Sequence, residues 1–510
     1  MDIEKLIAKI KEYNPESNED LIRLAFDYAK KAHGTATRKS GEPYITHPFA
    51  TAMILADQKM DDATIAAGLL HDVPEDTERT LDEVKKEFGK EIATLVEGIT
   101  KLGQLKYRGV DRYLENLRKM FVAMASDIRT IFIKFADRLH NISTLEALPP
   151  EKRKRISQET IEIYAPIAAR LGMSKVKGQL EDASFPFAYP EEYAWLMKKI
   201  KDSVETEKKY VNRAKKDITK ILDEQEVRYI SIDGRAKYML SLYRKLIRYN
   251  KDLSKIHDII ALRIIVPTIA ECYGTMGLIH QSYKPMKGRI KDYIAQPKPS
   301  GYQSLHTTIF YQEGKLIEVQ VRTPEMHEQA EYGIAAHWNY SENDKSLKKK
   351  TLTKDKMAWL EQLVGFQKQI DDEQQYLESL KIEFFKNRIF VFTPEGDVID
   401  LPEDATPIDF AYNIHSDLGN QCNGVKINEK IASLNTPLKS GDLVEIIKDK
   451  KRKGPSADWL NIVKTSSAKN KIKQRLAAHN KGFITKAKMA AEGQYEYMTK
   501  TKKIGKKNKS

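Results

Sequence analysis

The spacing of the apolar residues changes along this chain, and that change limits the possible fold more than any other feature of the sequence. Over the first 190 residues, apolar side chains recur at intervals of three and four, the spacing of amphipathic helices. Between residues 230 and 340, segments such as IIALRIIV and KLIEVQVRT instead predict strands, separated by turns rich in Gly and Pro. At 510 residues the chain is also too long for one hydrophobic core. The sequence therefore predicts several domains, with an all-α domain before an α+β domain.

Charged, helix-like segments separate the predicted domains. After the second of these segments, RIFVFTPEGDVIDLP predicts two short strands around a turn, which open a small α+β module. The predicted boundaries, in chain order, are 1–190 for the helical domain, 191–225 for a helical connector, 226–345 for the α+β domain, 346–385 for a helical linker, 386–448 for the small module and 449–510 for a basic tail.

The net charge of +14 belongs entirely to the tail. Residues 449–510 contain 18 Lys and Arg but only 4 Asp and Glu, while the rest of the chain is balanced. Such a tail is usually solvated and partly disordered, and contact with RNA or the ribosome is the alternative interpretation. The excess positive charge therefore belongs to neither of the two active sites predicted below.

The remaining composition indicates the compartment. No apolar run approaches the roughly 20 residues of a membrane span, and the charged N-terminus lacks a signal-peptide pattern. Cys272 and Cys422 are the only cysteines, which argues against a disulfide framework and against a cysteine zinc site. We expect a cytoplasmic protein with no membrane partner.

Two histidines and two carboxylates predict a metal centre in the helical domain. The four candidate ligands are His47 in GEPYITHP, His71 and Asp72 in GLLHDVPEDT, and Asp137 in FADRLHN. A mixed nitrogen and oxygen set suits Mn²⁺ or a similar divalent ion, which can activate water and polarise a phosphoryl oxygen. Asn141 and Thr144 share a helix face with Asp137, so a buried polar network is the alternative, but four candidate ligands favour the metal.

Charged residues flank these ligands and predict a phosphohydrolase. Glu75 and Asp76 follow the His-Asp pair, where they could orient or deprotonate the attacking water. Arg38 and Lys39 precede the first histidine and could hold a leaving pyrophosphate.

The strand KLIEVQVRT predicts a second site. Its alternation places Leu316, Glu318, Gln320 and Arg322 on one face, which either faces solvent or lines a site. Asp258 opens the other strand, DIIALRIIV. Carboxylates on neighbouring strands would bind Mg²⁺ and leave room for substrate phosphates.

Basic and aromatic residues around these strands favour nucleotide chemistry. The basic candidates are Arg235, Lys237, Lys245, Arg289, Lys291 and Lys298. Phosphoryl transfer depends mainly on positioning and charge neutralisation, which such residues supply. In PSGYQSLHT, Tyr302 is suited to stacking on a base, and His306 is a further candidate contact. The residues alone predict a nucleotide-binding phosphotransferase whose acceptor is unknown.

The ordered set of motifs resembles the RelA/SpoT family, which makes and destroys ppGpp and pppGpp. The matching stretches are RKSGEPYITHP, LLHDVPEDT, KFADRLHN, YRKL, RIKDYIAQPKPSGYQSLHTT, EVQVRT and EYGIAAHWNY, and the resemblance covers residues 20–450. It implies an HD-type hydrolase that removes the 3′ pyrophosphate with Mn²⁺. It also implies a nucleotidyltransferase-like synthetase with a mixed sheet and Mg²⁺, which transfers pyrophosphate from ATP to the 3′-OH of GDP or GTP and releases AMP.

The resemblance also implies roles for single residues. Glu75 and Asp76 match the hydrolase catalytic pair, and Asp258 and Glu318 match the Mg²⁺ and catalytic positions of the synthetase. The nucleotide-contacting positions of the hydrolase are matched by Arg38, Lys39, Asn141 and Thr144. Arg235 and Tyr302 match the residues that stack on adenine and guanine, and His415 matches a residue near the tRNA end. Residues 386–448 resemble the ubiquitin-like TGS module, which implies uncharged tRNA and the ribosome as partners. The family's zinc-finger-like and ACT domains are absent, so we expect a natural short form or a truncation.

Two alternatives remain open at this point. The chain could be a hydrolase with a weak synthetase, or mainly an RNA- or ribosome-binding regulator. Because opposed reactions would waste ATP, we expect the connector at 191–225 to link two mutually exclusive states.

Overall fold

The computed structural model describes residues 1–103, 120, 123–124, 126–253, 256, 259–298, 301–336, 388–449, 451–452 and 454–477. The chain divides into two compact units, Met1–Glu373 and Gln374–Ser510, and each is described by itself. None of the described helices is long and apolar enough to cross a membrane.

The first unit begins with a helical region, as the apolar spacing predicts. Its helices are α1 (Ile3–Lys11), α2 (Glu19–His33), α3 (Thr46–Asp57), α4 (Asp62–Leu70), α5 (Val73–Asp76), α6 (Leu81–Gly103), α7 (Arg129–Ser143), α8 (Pro150–Glu159), α9 (Ala165–Arg170), α10 (Ser174–Ala188) and α11 (Pro190–Glu224). A 3₁₀ turn (Leu145–Ala147) follows α7, and a π-helical turn (Thr160–Tyr164) joins α8 to α9.

Helix α4 is the buried centre of this region. It packs against α2, α3 and α6, and all its residues from Thr64 to Leu70 are buried. The Asp61 carboxylate caps its start by accepting from the Thr64 amide at 2.6 Å. After the helix ends, Pro74 lies in the first turn of α5, where its missing N–H is no loss. This restart places His71 and Asp72 at the junction.

Helix α6 begins with a capping box but is not continuous. The Thr80 amide donates to the Glu83 carboxylate at 2.7 Å, and the Glu83 amide donates to the Thr80 hydroxyl at 3.3 Å. Gly89 interrupts the helix with a φ of +83°, a conformation that favours glycine. The apolar spacing runs through this break, so it did not predict the break.

The second part of the first unit is an α/β region. Its elements are β1 (Ser231–Ala236), α12 (Met239–Arg248), β2 (Ile260–Ile265), α13 (Ile269–Ser282), β3 (Lys291–Asp292), β4 (Leu305–Phe310), β5 (Leu316–Arg322) and α14 (Pro324–Tyr332). The strands form one sheet in the order β1-β2-β5-β4-β3. Strands β2 and β5 are parallel and the other pairs are antiparallel, which confirms the expected mixed sheet.

Strand β5 lies at the centre of this sheet and shows the predicted alternation. Ile317, Val319 and Val321 belong to the hydrophobic core. On the other face, the Gln320 amide donates to the Glu318 carboxylate at 2.8 Å. The polar face of β5 therefore lines a site on the sheet.

The second unit contains two small sheets and short helices. Its elements are β6 (Arg388–Phe392), β7 (Val398–Pro402), α15 (Pro407–Ile414), α16 (Ser416–Asn420), β8 (Cys422–Ile427), β9 (Lys430–Ala432), β10 (Val444–Lys448), α17 (Trp459–Ile462) and α18 (466–477). The strands β6 and β7 pair with each other, and β8 pairs with β10 on one side and β9 on the other.

Part of the predicted tail belongs to the core of this unit. Trp459, Val463 and Ile472 pack with Ile408 and Tyr412 of α15. The sequence predicted a helical or disordered tail from residue 449. The high lysine content of that segment outweighed the few apolar residues that are buried in the structure.

A buried carboxylate fastens the same segment. Asp409 is 1% exposed and accepts from the backbone amides of Lys464 at 3.0 Å and Thr465 at 2.8 Å. It also accepts from the hydroxyl and the amide of Thr406, at 2.8 and 2.9 Å. Asp409 therefore caps α15 and anchors the segment that follows the module.

Candidate metal centre and nucleotide site

The four predicted metal ligands converge in the helical region. His47 lies in the first turn of α3, His71 and Asp72 at the end of α4, and Asp137 in α7. The Nε2 atom of His47 lies 3.1 Å from Asp137 Oδ1 and 3.5 Å from Asp72 Oδ2. The Nε2 atom of His71 lies 3.1 Å from Asp72 Oδ1. Both histidines and Asp137 are buried.

Hydrogen bonds fix which nitrogen of each histidine carries the proton. His71 Nδ1 lies 2.8 Å from the Gly68 carbonyl oxygen, which can only accept, so Nδ1 donates. His140 Nδ1 lies 3.1 Å from Arg38 Nη1, which can only donate, so His140 Nδ1 accepts. His47 Nδ1, at 2.7 Å from the same His140 atom, must then donate. Burial, with the nearby His47, lowers the pKa of His140 to about 4, which keeps its ring neutral.

With these tautomers, both Nε2 atoms are acceptors and each lies 3.1 Å from a carboxylate oxygen. Two acceptors only 3.1 Å apart repel each other unless a cation or a proton lies between them. Among the described residues, the buried His71 Nε2 has no hydrogen-bond partner. Ligand atoms of His47, His71 and Asp137 all lie within 4.8 Å of one another. The donor set therefore fits a divalent metal ion.

Neighbouring groups keep Asp137 ionised. Its burial would raise its pKa, but Lys134 Nζ, 2.6 Å from Oδ2, holds the pKa well below the ordinary value. The Asn141 amide donates to the other carboxylate oxygen. Asp137 is therefore available as an anionic ligand.

The predicted acidic pair lies beside the centre. The Tyr44 hydroxyl donates to Asp76, and it lies 3.2 Å from Asp72 Oδ2. Glu75 is accessible to solvent, yet partial burial and the charge of Asp72 raise its pKa to about 7, with Lys134 opposing. Glu75 can therefore gain or lose a proton near neutral pH.

The structure gathers most of the predicted substrate contacts at the end of α7. Arg38 Nη2 donates to Oδ1 of the Asn141 side chain at 2.7 Å, and the Thr144 hydroxyl donates to the Asn141 backbone oxygen at 3.3 Å. Lys39 is exposed beside Arg38. This cluster offers a cation and hydrogen-bonding groups next to the metal centre.

The second predicted site centres on a chain of three side chains. The Tyr302 hydroxyl lies 2.7 Å from His306 Nε2, and His306 Nδ1 lies 3.2 Å from Glu318 Oε1. Burial lowers the pKa of His306, so its neutral ring can donate to the carboxylate and accept from the phenol. Burial opposes ionisation of Glu318, but hydrogen bonds from His306 and Gln320 lower its pKa to about 2. Glu318 is therefore an anion at neutral pH.

Cationic side chains surround the aromatic rings of this site. Lys298 Nζ lies 4.5 Å from the Tyr293 ring centroid and 5.0 Å from that of Tyr302. The fully buried Arg322 lies 5.9 Å from the Tyr302 centroid and 3.4 Å from Gln320 Oε1. Tyr302 is thus supported by cations, as a base-stacking platform would be.

A cavity of about 270 Å³ adjoins the carboxylate. It is lined by Arg235, Lys237, Glu318 and Gln320, all of which the sequence singled out, and by Ser241, which it did not. Their side chains suit a phosphorylated ligand.

The other predicted residues of this site are less central or cannot be placed. Lys245 lies in α12, and Arg289 is exposed. Lys291 lies opposite His306 in the backbone register of β3 and β4. Asp258 lies outside the described residues, so its pairing with Glu318 around Mg²⁺ stays a prediction.

Sequence reasoning missed several partners in both sites. His140 and Lys134 lie within or beside the FADRLHN motif, so their proximity to Asp137 was a usable signal. Arg263 lies 2.9 Å from the buried Glu331. The two residues belong to segments far apart in the sequence, and no local pattern indicates the pair.

Comparison with known families finds three matching segments. Residues 25–174 match the HD domain, residues 234–345 match the region found in RelA / SpoT proteins, and residues 389–448 match the TGS domain.

Curated relatives resemble nearly the whole chain. The bifunctional (p)ppGpp synthase/hydrolase SpoT of Escherichia coli is 43% identical over 474 residues, covering 93% of this chain and 67% of that protein. A GTP pyrophosphokinase of Myxococcus xanthus is 46% identical over 91% of this chain and 61% of that protein. A guanosine-3′,5′-bis(diphosphate) 3′-pyrophosphohydrolase of Aquifex aeolicus is 45% identical over 93% of this chain and 66% of that protein.

The chain thus spans about two thirds of the length of these relatives. Among solved structures, the small alarmone synthetase 2 of Bacillus subtilis is 26% identical and covers 33% of this chain and 98% of that chain, with a TM-score of 0.25. The identity to the Escherichia coli protein over two thirds of its length, with the three domains in order, decides the assignment. The chain belongs to the RelA/SpoT family.

Proposed function

We propose that the chain carries two opposed activities on one nucleotide. The helical region hydrolyses (p)ppGpp to GDP or GTP and pyrophosphate, and the α/β region makes (p)ppGpp from ATP and GDP or GTP. The observation that carries the proposal is the arrangement of the two buried Nε2 atoms, each 3.1 Å from an oxygen of Asp137 or Asp72, which fits a cation beside Arg38 and Asn141.

For the hydrolase, His47, His71, Asp72 and Asp137 would hold the metal. The metal, which we take to be Mn²⁺, would polarise the phosphoryl oxygen and activate water. Glu75, with a pKa of about 7, accepts the proton of the attacking water. The oxygen of that water bonds to the phosphorus next to the 3′ oxygen, the bond between this phosphorus and the 3′ oxygen breaks, and the 3′ oxygen takes up a proton, which gives GDP or GTP and pyrophosphate.

Residues near the hydrolase centre orient the substrate. Tyr44 holds Asp76 in place through its hydroxyl. Arg38, fastened by Asn141, presents its guanidinium to the departing pyrophosphate. Lys39, which is exposed, adds a second cation on the solvent side.

For the synthetase, the 3′ oxygen of the acceptor attacks the β-phosphorus of ATP. The bond between the α- and β-phosphates breaks, AMP leaves, and the hydroxyl proton is released. Glu318, a weak base with a pKa of about 2, accepts a hydrogen bond from the 3′-OH and orients it. The acceptor base stacks on Tyr302, while Arg235 and Lys237 hold the donor. Mg²⁺ is the metal we propose here.

Paired assays on the same purified chain test both halves. Synthesis is followed with ATP and GDP in Mg²⁺, and hydrolysis with ppGpp in Mn²⁺. We expect Glu318→Gln to abolish synthesis and leave hydrolysis, and His71→Ala to do the reverse. Wild-type protein that makes no 3′-pyrophosphorylated product at any Mg²⁺ concentration would leave only a hydrolase.

A second candidate function, binding to tRNA, is favoured by two features of the second unit. His415 is exposed, its side chain retaining 69% of its surface, and the sequence from 449 onward carries the whole net charge. Uncharged tRNA would contact this surface through its phosphates, so binding must weaken steeply as salt rises. Weak binding that hardly depends on salt would contradict this role, and the enzymatic proposal would be unaffected.

A further inference from the structure

Helix α10 borders the synthetase cavity although it precedes the segment that matches RelA / SpoT proteins. That segment begins at residue 234, and the HD match ends at residue 174. Ser174, Lys177 and Gly178 of α10 line the cavity together with Arg235 and Lys237. One wall of the proposed nucleotide site therefore comes from the helical region.

An acidic residue of α10 caps the first helix of the α/β region. The Asp182 carboxylate accepts from the backbone amides of Met239 at 3.0 Å and Leu240 at 3.1 Å, the first two residues of α12. Tyr238 precedes that helix, and its hydroxyl donates to the Lys175 backbone oxygen at 3.3 Å. Two N–H groups that every helix start leaves without intrahelical partners are thus satisfied from another part of the chain.

The neighbouring acidic residue holds the side chains of α12. Glu181 is 1% exposed, and its carboxylate lies 2.5 Å from Arg244 Nη1 and 3.2 Å from Lys177 Nζ. The Ser241 hydroxyl donates to it at 3.4 Å. Because Ser241 and Lys177 both line the cavity, this buried carboxylate fixes two parts of its wall.

A close contact fixes the residue that follows Lys237. The Tyr238 ring packs on Gly178 so closely that a Cβ at position 178 would lie 2.1 Å from a ring carbon. On its other side, the ring lies 6.0 Å from the Arg235 guanidinium. Any side chain at position 178 must displace the ring, and the ring is linked to Arg235 and Lys237 by the chain.

We propose that Asp182, Glu181 and Gly178 are positioning residues for the pyrophosphate donor, a nucleoside triphosphate. They act through α12 and Tyr238 and set the direction of Arg235 and the phosphate-binding side chains. The inference rests on the proposed synthetase function. The donor rather than the acceptor is affected, because Arg235 and Lys237, which we assign to the donor, line the cavity beside α10, whereas Tyr302, which we assign to the acceptor base, is not one of its lining residues.

Equilibrium binding of α,β-methylene-ATP to the full chain is the test, since that analogue lacks the bond that the reaction breaks. Steady-state synthesis gives separate KM values for ATP and GDP. The variants are Asp182→Ala and Gly178→Ala, with Asp182→Asn as the conservative change, which keeps one acceptor oxygen. Gln179→Ala, an exposed change in the same helix, is the matched control.

We expect both variants to weaken analogue binding, Asp182→Ala because it removes a helix cap and Gly178→Ala because it displaces the Tyr238 ring. Each should raise the KM for ATP by about tenfold or more. The KM for GDP should stay within about twofold of wild type, and Asp182→Asn should recover part of the loss. Unchanged analogue binding, or equal rises in both KM values, overturns the inference while the proposed function stands. Failure of the wild-type chain to bind the analogue overturns both. If Asp182→Ala does not fold, the Asn and Gly178 variants decide by the same criteria.

Discussion

Removal of the His140 ring tests whether the metal centre depends on the proton position of His47. In the structure, His140 Nδ1 accepts from His47 Nδ1 at 2.7 Å and so keeps the proton away from Nε2. In His140→Ala, the apo protein can move that proton to Nε2, where it would donate to Asp137, 3.1 Å away. Metal binding must then reverse this shift and leave a buried N–H without a partner, since His47 is 2% exposed.

The cost of that orphaned donor sets the expected magnitude. A buried donor left without a partner costs about 1–3 kcal/mol, which corresponds to a loss of roughly 5- to 150-fold in metal affinity. Loss of a group that orients a metal-bound histidine typically lowers metal affinity by about 10- to 100-fold, which agrees with this range. We therefore expect the Kd for Mn²⁺ to rise by about 10- to 100-fold in His140→Ala.

Titration of chelator-treated protein with Mn²⁺, with unbound ion read by electron paramagnetic resonance, measures this Kd. His140→Asn should lose much less, because its Oδ1 lies near the position of Nδ1 and can accept. His415→Ala, which removes an exposed histidine of the second unit, is the matched control. If His140→Ala binds Mn²⁺ within about twofold of wild type, the assignment of the His47 tautomer is wrong.

Three further predictions concern the other sites. Glu318→Gln should lower the kcat for synthesis by at least about 100-fold while the KM for ppGpp in hydrolysis stays unchanged, and a parallel loss of both activities would contradict separate sites. Because burial lowers the pKa of His306, protonation of its ring should inactivate synthesis only at a pH below the range where an ordinary histidine titrates; a pH–rate profile with its acid limb above that range would refute this. Asp409→Ala leaves the amide of Lys464 and the buried amide of Thr465 without their acceptor, at about 1–3 kcal/mol for the buried one, and should speed hydrogen exchange in 454–477, with the exposed Glu395→Ala as the reference.

The convergence of the candidate metal ligands was predictable in part from local sequence. His71 and Asp72 are adjacent, and Pro74 ends the preceding helix where a helix end is needed. The proton positions were not predictable. They depend on Arg38 and His140, about a hundred residues apart, meeting at one nitrogen atom.

The sheet was predictable for the same local reason, and its site only partly. Alternation along β5 fixes which face carries Glu318 and which face packs in the core. The depression of the Glu318 pKa needs His306 from β4, and strand pairing decides that meeting. The break at Gly89 and the cap from Asp182 leave no periodic signal at all, since neither changes the spacing of apolar residues.

The contacts of α10 indicate a second structural link between the two proposed sites. Sequence reasoning placed it in the connector at 191–225, which the structure shows as α11, packed on β1 and β2. Helix α10 packs against α7, which carries Asp137, and through Asp182 it caps α12. A rotation of the α/β region against α10 would break the Asp182 and Glu181 bonds and separate Tyr238 from Gly178. If the two proposed activities exclude each other, we expect their two states to differ at these contacts of α10.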